Sequence, residues 1–321
     1  MLAAYASAID SDNPLAGLTV GERPEPVDRA GWTTVTVKAA ALNHHDLWSL
    51  RGVGLRADQL PMILGGDAAG VDADGNEVVV HSVICSPDWF GDDTLDPTRS
   101  LLSEVHDGTL AEKISVPRRN LVPKPASMSF EDAACMPTAW LTAYRMLFVK
   151  AQLQPGSTVL IQGAGGGVST AAVVLAKAAG IRVWVTSRSE QKRAAAMGLG
   201  ADEAFETGAK LPEKVDVVID NVGEATWAHS LRSLKPGGAV ITCGATTGSA
   251  PSADLNRLFF LQLQVWGSTM GTRAELERML QFVTTNQIKP VIDSQFSLGE
   301  TRDALRRLQD GDAVGKILVI P

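Results

Sequence analysis

Val159-Leu160-Ile161-Gln162-Gly163-Ala164-Gly165-Gly166-Gly167-Val168-Ser169 decides the fold of this chain. Residues 159–162 are a short apolar run of the kind that forms a buried parallel strand. Small residues follow, and residues 170–179 then continue as an Ala/Val/Leu helix closed by Gly180. Strand, glycine turn and helix in that order open a dinucleotide-binding βαβ unit. Read as G-x-G-x-x-G from Gly163, the last position falls on Val168. Read one residue later, Ala164, Gly166 and Ser169 put a small residue at all three places, and this register is preferred. Ala164, Gly165, Gly166, Gly167 and Val168 are then expected to cradle a diphosphate on free N–H groups at the positive end of the helix dipole. A glycine turn of this kind also occurs as a plain structural loop in other α/β proteins.

Beyond this motif the chain alternates strands and helices. Strands are expected at residues 159–162, 181–186, 215–220, 239–243 and 263–267, which implies a doubly wound parallel sheet with right-handed crossovers, an α/β Rossmann domain. Cofactors meet such sheets at the carboxyl ends of their strands, so Asn221, Gly244, Ala245 and Ser268 are candidate cofactor contacts.

The first 120 or so residues read instead as β-rich. Val35 and Val37 alternate with Thr34, Thr36 and Lys38 as in a half-buried strand, and Asp74-Gly75-Asn76 turns a hairpin over residues 71–83. Asn43-His44-His45-Asp46-Leu47-Trp48 reads as a short helix opened by an Asn cap, and residues 87–106 as a long polar loop. Pro123-Lys124-Pro125 marks a boundary. Thr272-x-x-Glu275 and Ser297-x-x-Glu300 are capping boxes, and residues 316–320 close the chain as a strand that returns to the first domain. The expected domains are 1–124, 125–268 and a C-terminal return over 269–321 that completes the first.

Composition narrows the partners. With 29 basic and 36 acidic residues the net charge is −7, which argues against nucleic acid or an anionic membrane surface. No apolar run reaches the roughly 18–20 residues of a membrane span, and the N-terminus lacks a secretory pattern. The 3 cysteines are odd in number and widely spaced, so a disulfide framework is not expected and a cytoplasmic location is.

The second expected strand ends Val185-Thr186-Ser187-Arg188-Ser189, with no acidic residue until Glu190. NAD-specific sites place a carboxylate at that strand end; a hydroxyl and a guanidinium would hold a 2′-phosphate instead. Ser187 and Arg188, with Lys192 one helical turn beyond, therefore point to NADPH. Ser187-x-x-Glu190 also fits a capping box, and Arg188 and Lys192 also fit as solvated charges.

With Asn43 to Asp46, Arg51-Gly52, Pro61 to Gly70, Pro137 to Tyr144, Gly163 to Ser169, Leu234 to Gly238 and Gly315-Lys316-Ile317 in this order, the whole chain resembles the medium-chain dehydrogenase/reductase superfamily, and within it the zinc-free quinone oxidoreductases. The resemblance implies a GroES-like β domain for the substrate and a Rossmann domain for NADPH. In the zinc-dependent alcohol dehydrogenases a Cys stands at Asn43, a Gly-His-Glu at Gly65-Gly66-Asp67 and a third ligand near Thr138, so no metal is expected here. The resemblance places Asn43 and Thr138 beside the nicotinamide, although Asn43 also fits as a plain helix cap. His45, like His44, is a candidate proton donor, or else a hydrogen-bonded helix residue. Lys316 would reach a phosphate, or be a solvated terminal lysine.

The expected activity is metal-free, NADPH-dependent hydride transfer to a quinone or an α,β-unsaturated carbonyl, with the proton coming from solvent if no side chain supplies it. The alternative is an NADPH-binding protein without turnover, and the least favoured is a zinc-dependent alcohol dehydrogenase. A small electrophilic molecule is the expected partner. A homodimer is also expected, through the apolar segment around Leu263 to Gly267.

Overall fold

A computed structural model describes residues 1–27 and 29–321 and resolves them into two compact units, Met1–Leu141 with Gly271–Pro321, and Thr142–Met270. The first division lies beyond the expected boundary at residue 124. The helix Phe130–Ala134, capped by Ser129, packs on strands Trp32–Ala41 and Asp67–Asp72 and so stays with the first unit. The chain then winds through π-type turns at Met136–Trp140 and Arg145–Lys150 on either side of Leu141–Tyr144.

In the second unit the sheet runs Glu203–Phe205, Arg182–Thr186, Thr158–Ile161, Val215–Asp220, Leu234–Thr242, Gln264–Gly267, with every pair parallel. This is the Rossmann order, third strand to first and then fourth to sixth, with its switch point between Thr158–Ile161 and Val215–Asp220. Leu160, Trp184, Val218 and Val240 are buried together with Leu231 from the helix Glu224–Ser233. The strand Glu203–Phe205 is absent from the expectation, because three residues are too few to show a period.

The first unit is built on a sheet ordered Leu121–Pro123, Glu77–Val80, Asp67–Asp72, Trp32–Ala41, Lys316–Ile320, Ile292–Ser297, with Lys113–Pro117 pairing the first half of Trp32–Ala41. Val35 and Val37 are buried while Thr36 and Lys38 are exposed, as the alternation requires. Lys316–Ile320 lies antiparallel to Trp32–Ala41, with Leu318 opposite Ala41. The last segment therefore completes the first domain, and together the two units give the α/β architecture of a Rossmann sheet plus a GroES-like domain. The polar stretch at residues 87–106 is less irregular than its composition suggests. It contains the turn Asp93–Leu95 and the strand Ser100–Leu101, which pairs with Val83–Ile84.

Candidate functional site

The glycine turn takes the shape its residues allow. Gly163 and Gly165 have φ of +72° and +112°, a region that residues with a side chain rarely occupy. A Cβ on Gly163 would lie 2.7 Å from Val222 Cγ2, and one on Gly165 would lie 2.5 Å from Lys192 Cδ. The helix Gly167–Ala178 starts from Gly166 without a side-chain cap, so its first-turn N–H groups remain open to a phosphate. Ser169 is buried, its hydroxyl donating to the carbonyls of Gly163 and Gly166 at 3.0 Å, while Val168 is half-buried. In the later register the small residue at the third place is thus the one that is buried and bonded to the turn itself.

Of the candidate contacts after the neighbouring strands, the segment at Asn221 and Val222 lies against the turn at Gly163. Val222 faces Gly163, Gly244 lies against the Asn221 carbonyl, and Ala245 packs against Gly223. The Ser268 N–H donates to the Thr242 carbonyl at 2.8 Å, and its buried hydroxyl has no hydrogen-bond partner.

At the end of Arg182–Thr186, Arg188 is exposed and the stem of Lys192 lies over Gly165. Ser187 is not the cap of the next helix. Ser189 caps Glu190–Gly198, its Oγ accepting from the Lys192 N–H, because the helix begins two residues later than the Ser187 box would place it. Arg193, which the sequence reading overlooked, donates from Nη1 to the Ser187 carbonyl at 2.7 Å and so fixes this corner.

Beneath the turn lies a buried polar chain that no local motif announces. Thr186 Oγ1 donates to Gln162 Oε1 at 2.5 Å; Gln162 Nε2 donates to His229 Nδ1 and Ser230 Oγ; Ser230 Oγ donates to Asp220 Oδ2 at 2.6 Å. His229 Nε2 in turn donates to the Ala209 carbonyl, with Nδ1 as the acceptor of the Gln162 amide. The chain ties together the carboxyl ends of three strands.

In the first unit, Asn43 opens the helix His44–Leu50, but its side chain does not cap it. The buried Asp46 carboxylate accepts from the Asn43 N–H at 2.8 Å and from the Gly65 N–H at 3.1 Å. The Asn43 amide turns inward instead, donating to Asp67 Oδ2 at 2.9 Å and accepting from Lys316 Nζ at 2.6 Å. Lys316 corrects the expectation of a phosphate ligand or a solvated lysine. Its side chain is 2 % exposed, and Nζ donates to Leu42 O, Asn43 Oδ1 and Asp67 Oδ2, which engages all three of its protons. Its partner Asp67 is fully buried, so the pair compensates charge inside the domain. Thr138 sits beside Gly66 and Ser82 with its hydroxyl buried and without a partner.

His45 points elsewhere, Nε2 meeting Glu104 Oε1 at 2.8 Å. Burial works against its imidazolium, but the hydrogen bond to Glu104 and the charges of Asp46, Glu104 and Asp67 outweigh it, and His45 holds its proton to higher pH than a free histidine. Burial pushes the thiols of Cys135 and Cys243 up to about 12, which removes both as nucleophiles at neutral pH.

Comparison with known proteins adds the following. Residues 29–126 match the family described as alcohol dehydrogenase GroES-like domain, and residues 167–285 the family described as zinc-binding dehydrogenase. An acryloyl-coenzyme A reductase of Metallosphaera sedula is 31% identical over 94% of this chain and 96% of its own length. A crystal structure of an NAD-dependent alcohol dehydrogenase superposes with TM-score 0.92 at 32% identity, covering 100% of both chains. A 2-octenoyl-CoA carboxylase reductase in complex with NADP and 2-octenoyl-CoA superposes with TM-score 0.92 at 26% identity, over 99% of this chain and 87% of the other.

The zinc in one family description can be tested on the residues present. Among the described residues no three His, Cys, Asp or Glu side chains are grouped to hold a metal. Asp67 Oδ2 is already bonded to an ammonium and an amide, and Asn43, Gly66 and Thr138 supply no zinc donor set. The residues do not fit a catalytic zinc. The glycine turn, with its open N–H groups and a free guanidinium-bearing corner, does fit a dinucleotide.

Proposed function

We propose that this chain, which belongs to the medium-chain dehydrogenase/reductase superfamily, is an NADPH-dependent reductase of carbon–carbon double bonds conjugated to a carbonyl. The observation that carries the reading is the corner at Ser187-Arg188. A hydroxyl and a guanidinium stand where an NAD site needs a carboxylate, next to an intact diphosphate cradle. In support, an acryloyl-CoA reductase aligns in sequence with 94% of this chain, and a 2-octenoyl-CoA carboxylase reductase seen with NADP superposes over 99% of it.

The bound cofactor supplies the hydride at its nicotinamide C4. The chain's own residues do the rest: the turn from Gly163 to Gly167 holds the diphosphate, and Arg188 with Lys192 holds the 2′-phosphate. Asn221, Gly244, Ala245 and Ser268, which follow the neighbouring strands, are the further contacts proposed for the cofactor. An enoyl thioester is favoured over a quinone as acceptor because both reductase relatives act on such thioesters. NADPH oxidation measured with enoyl thioesters, enones and quinones tests this; turnover confined to quinones, or none at all, would refute it.

The same chain is proposed to pair as a homodimer. Gln264–Gly267 is the edge of the parallel sheet, exposed along its length, with Val265 45% and Trp266 46% exposed. Phe259 and Phe260, on the preceding helix, are 63% and 77% exposed. An apolar edge with unpaired backbone groups is a site for self-pairing. Light scattering should give twice the chain mass, falling to one chain on Val265→Lys; a single-chain mass for the unmodified protein would count against pairing.

A further inference from the structure

We propose that Glu104 is a positioning residue that holds His45 as the proton donor of the reduction, with the imidazole Nδ1 delivering the proton. The inference rests on the reading of the chain as a reductase of conjugated double bonds.

Its geometric basis lies within the first unit. A carboxylate only accepts, so the 2.8 Å contact fixes the proton of Nε2 toward Glu104. Nδ1 makes no hydrogen bond among the described residues, and the His45 side chain is 25% exposed. One ring nitrogen is therefore anchored, and the other keeps its proton uncommitted on a side chain that is not fully buried. In catalytic triads an acidic residue holds the histidine tautomer in the same way.

Glu104 is itself held in place. Its carbonyl accepts from Gln59 Nε2 at 2.8 Å, its N–H donates to the Leu101 carbonyl, and Ser103 before it has a φ of +67°. Gly54 (φ +82°) makes room for the carboxylate, since a Cβ there would stand 2.5 Å from Glu104 Oε1. Four separate features thus aim one carboxylate at one imidazole, in a pair that is mostly buried. A chance surface ion pair needs none of them.

The chemistry balances. Hydride addition at the β-carbon moves the double-bond pair toward the carbonyl and leaves an enolate. The enolate takes the Nδ1 proton at its α-carbon, a C–H bond forms, and the imidazolium becomes the neutral Nε2–H tautomer still bound to Glu104. Solvent returns the proton. Because the ring keeps the same tautomer contact throughout, it does not need to flip. Asp46, Asp67 and Glu104 are the negative charges acting on the ring, and Lys316 is the cation bonded to Asp67. Activity should therefore fall as pH rises through the elevated His45 pKa.

The test uses the whole protein with NADPH and a crotonyl thioester in D2O, reading the configuration of deuterium at C2. The unmodified enzyme should give a single configuration. His45→Gln should lower kcat by about 100-fold, the usual scale for a general acid, and spread deuterium over both faces. Glu104→Gln should move the basic limb of kcat, and the His45 imidazole titration followed by NMR without cofactor, down by about one pH unit. The KM for NADPH should stay unchanged, and this variant carries the test should His45→Gln fail to fold. An unaltered rate and single configuration in His45→Gln, or an unmoved His45 titration in Glu104→Gln, would overturn the dyad alone. No turnover by the unmodified enzyme with any enoyl thioester or enone would overturn the reductase reading and the proton donor with it.

Discussion

The cofactor cradle of the second unit and the polar cluster of the first are built by opposite means. The cradle is contiguous in sequence and consists mostly of backbone: positive-φ glycines, an uncapped helix start and a buried serine within one stretch of residues 163–169. The cluster joins Asn43, Asp67 and Lys316, the last of them 249 residues beyond Asp67, and consists of side chains in the core. A cradle made of backbone tolerates changes around it and shows them as altered binding. A buried charge pair tolerates almost none and shows them as lost stability.

That contrast is sharpened first by Lys316→Met, the largest expected effect. It leaves the fully buried Asp67 carboxyl without its cation, which should cost about 3–5 kcal/mol in urea unfolding. Replacing both residues, Lys316→Met with Asp67→Leu, should recover much of this, because well-packed apolar pairs substitute for buried ion pairs. If the single variant is as stable as the unmodified protein, the pair is not what holds this part of the domain.

Next comes Arg188→Ala on the cradle side. It should remove most of an at least tenfold preference for NADPH over NADH, on the order of 1.4 kcal/mol, while leaving NADH use and the unfolding midpoint nearly unchanged. Comparable kcat/KM for the two cofactors in the unmodified protein would break the assignment of this corner.

The smallest effect belongs to Asp216→Asn. Asp216 accepts from the Thr158 N–H at 2.7 Å and pairs with Lys235 at 2.7 Å. Burial raises its pKa, but Lys235, the Thr158 N–H and Arg182 together lower it below the ordinary carboxylate value. A depressed folded-state pKa contributes stability above the unfolded pKa of about 3.9 and loses it as pH falls through the folded value. The substitution should therefore cost roughly 0.5–1 kcal/mol at pH 7, a discounted figure for a half-exposed pair, and nothing once the Asp216 carboxyl is protonated in the folded and unfolded states alike. A deficit that persists at low pH would mean that packing, not charge, is lost.

The same contrast explains what the sequence revealed. The Rossmann half was legible because its signals are local: an apolar run, small residues at fixed spacing, and the missing carboxylate before Glu190. The return of residues 316–320 to the first domain was legible from its strand pattern after a capping box. The surroundings of Lys316 were not, since a terminal lysine carries no mark of the aspartate it will meet in the folded sheet. Nor was Glu104, which lies in a polar stretch that reads as loop and gains its meaning only from His45, 59 residues away. The helix start at Ser189 rather than Ser187 shows a narrower limit. Both serines precede a helical pattern, and only the backbone decides which oxygen receives the Lys192 N–H.

The central claim is that hydride passes from NADPH to the β-carbon of a conjugated double bond. The most direct test is turnover of a crotonyl thioester with NADPH deuterated in the transferred position at C4. Deuterium should appear at C3 of the saturated product, with a solvent-derived hydrogen at C2. A product without label at C3, or an enoyl thioester left untouched while a quinone is reduced, would contradict the account.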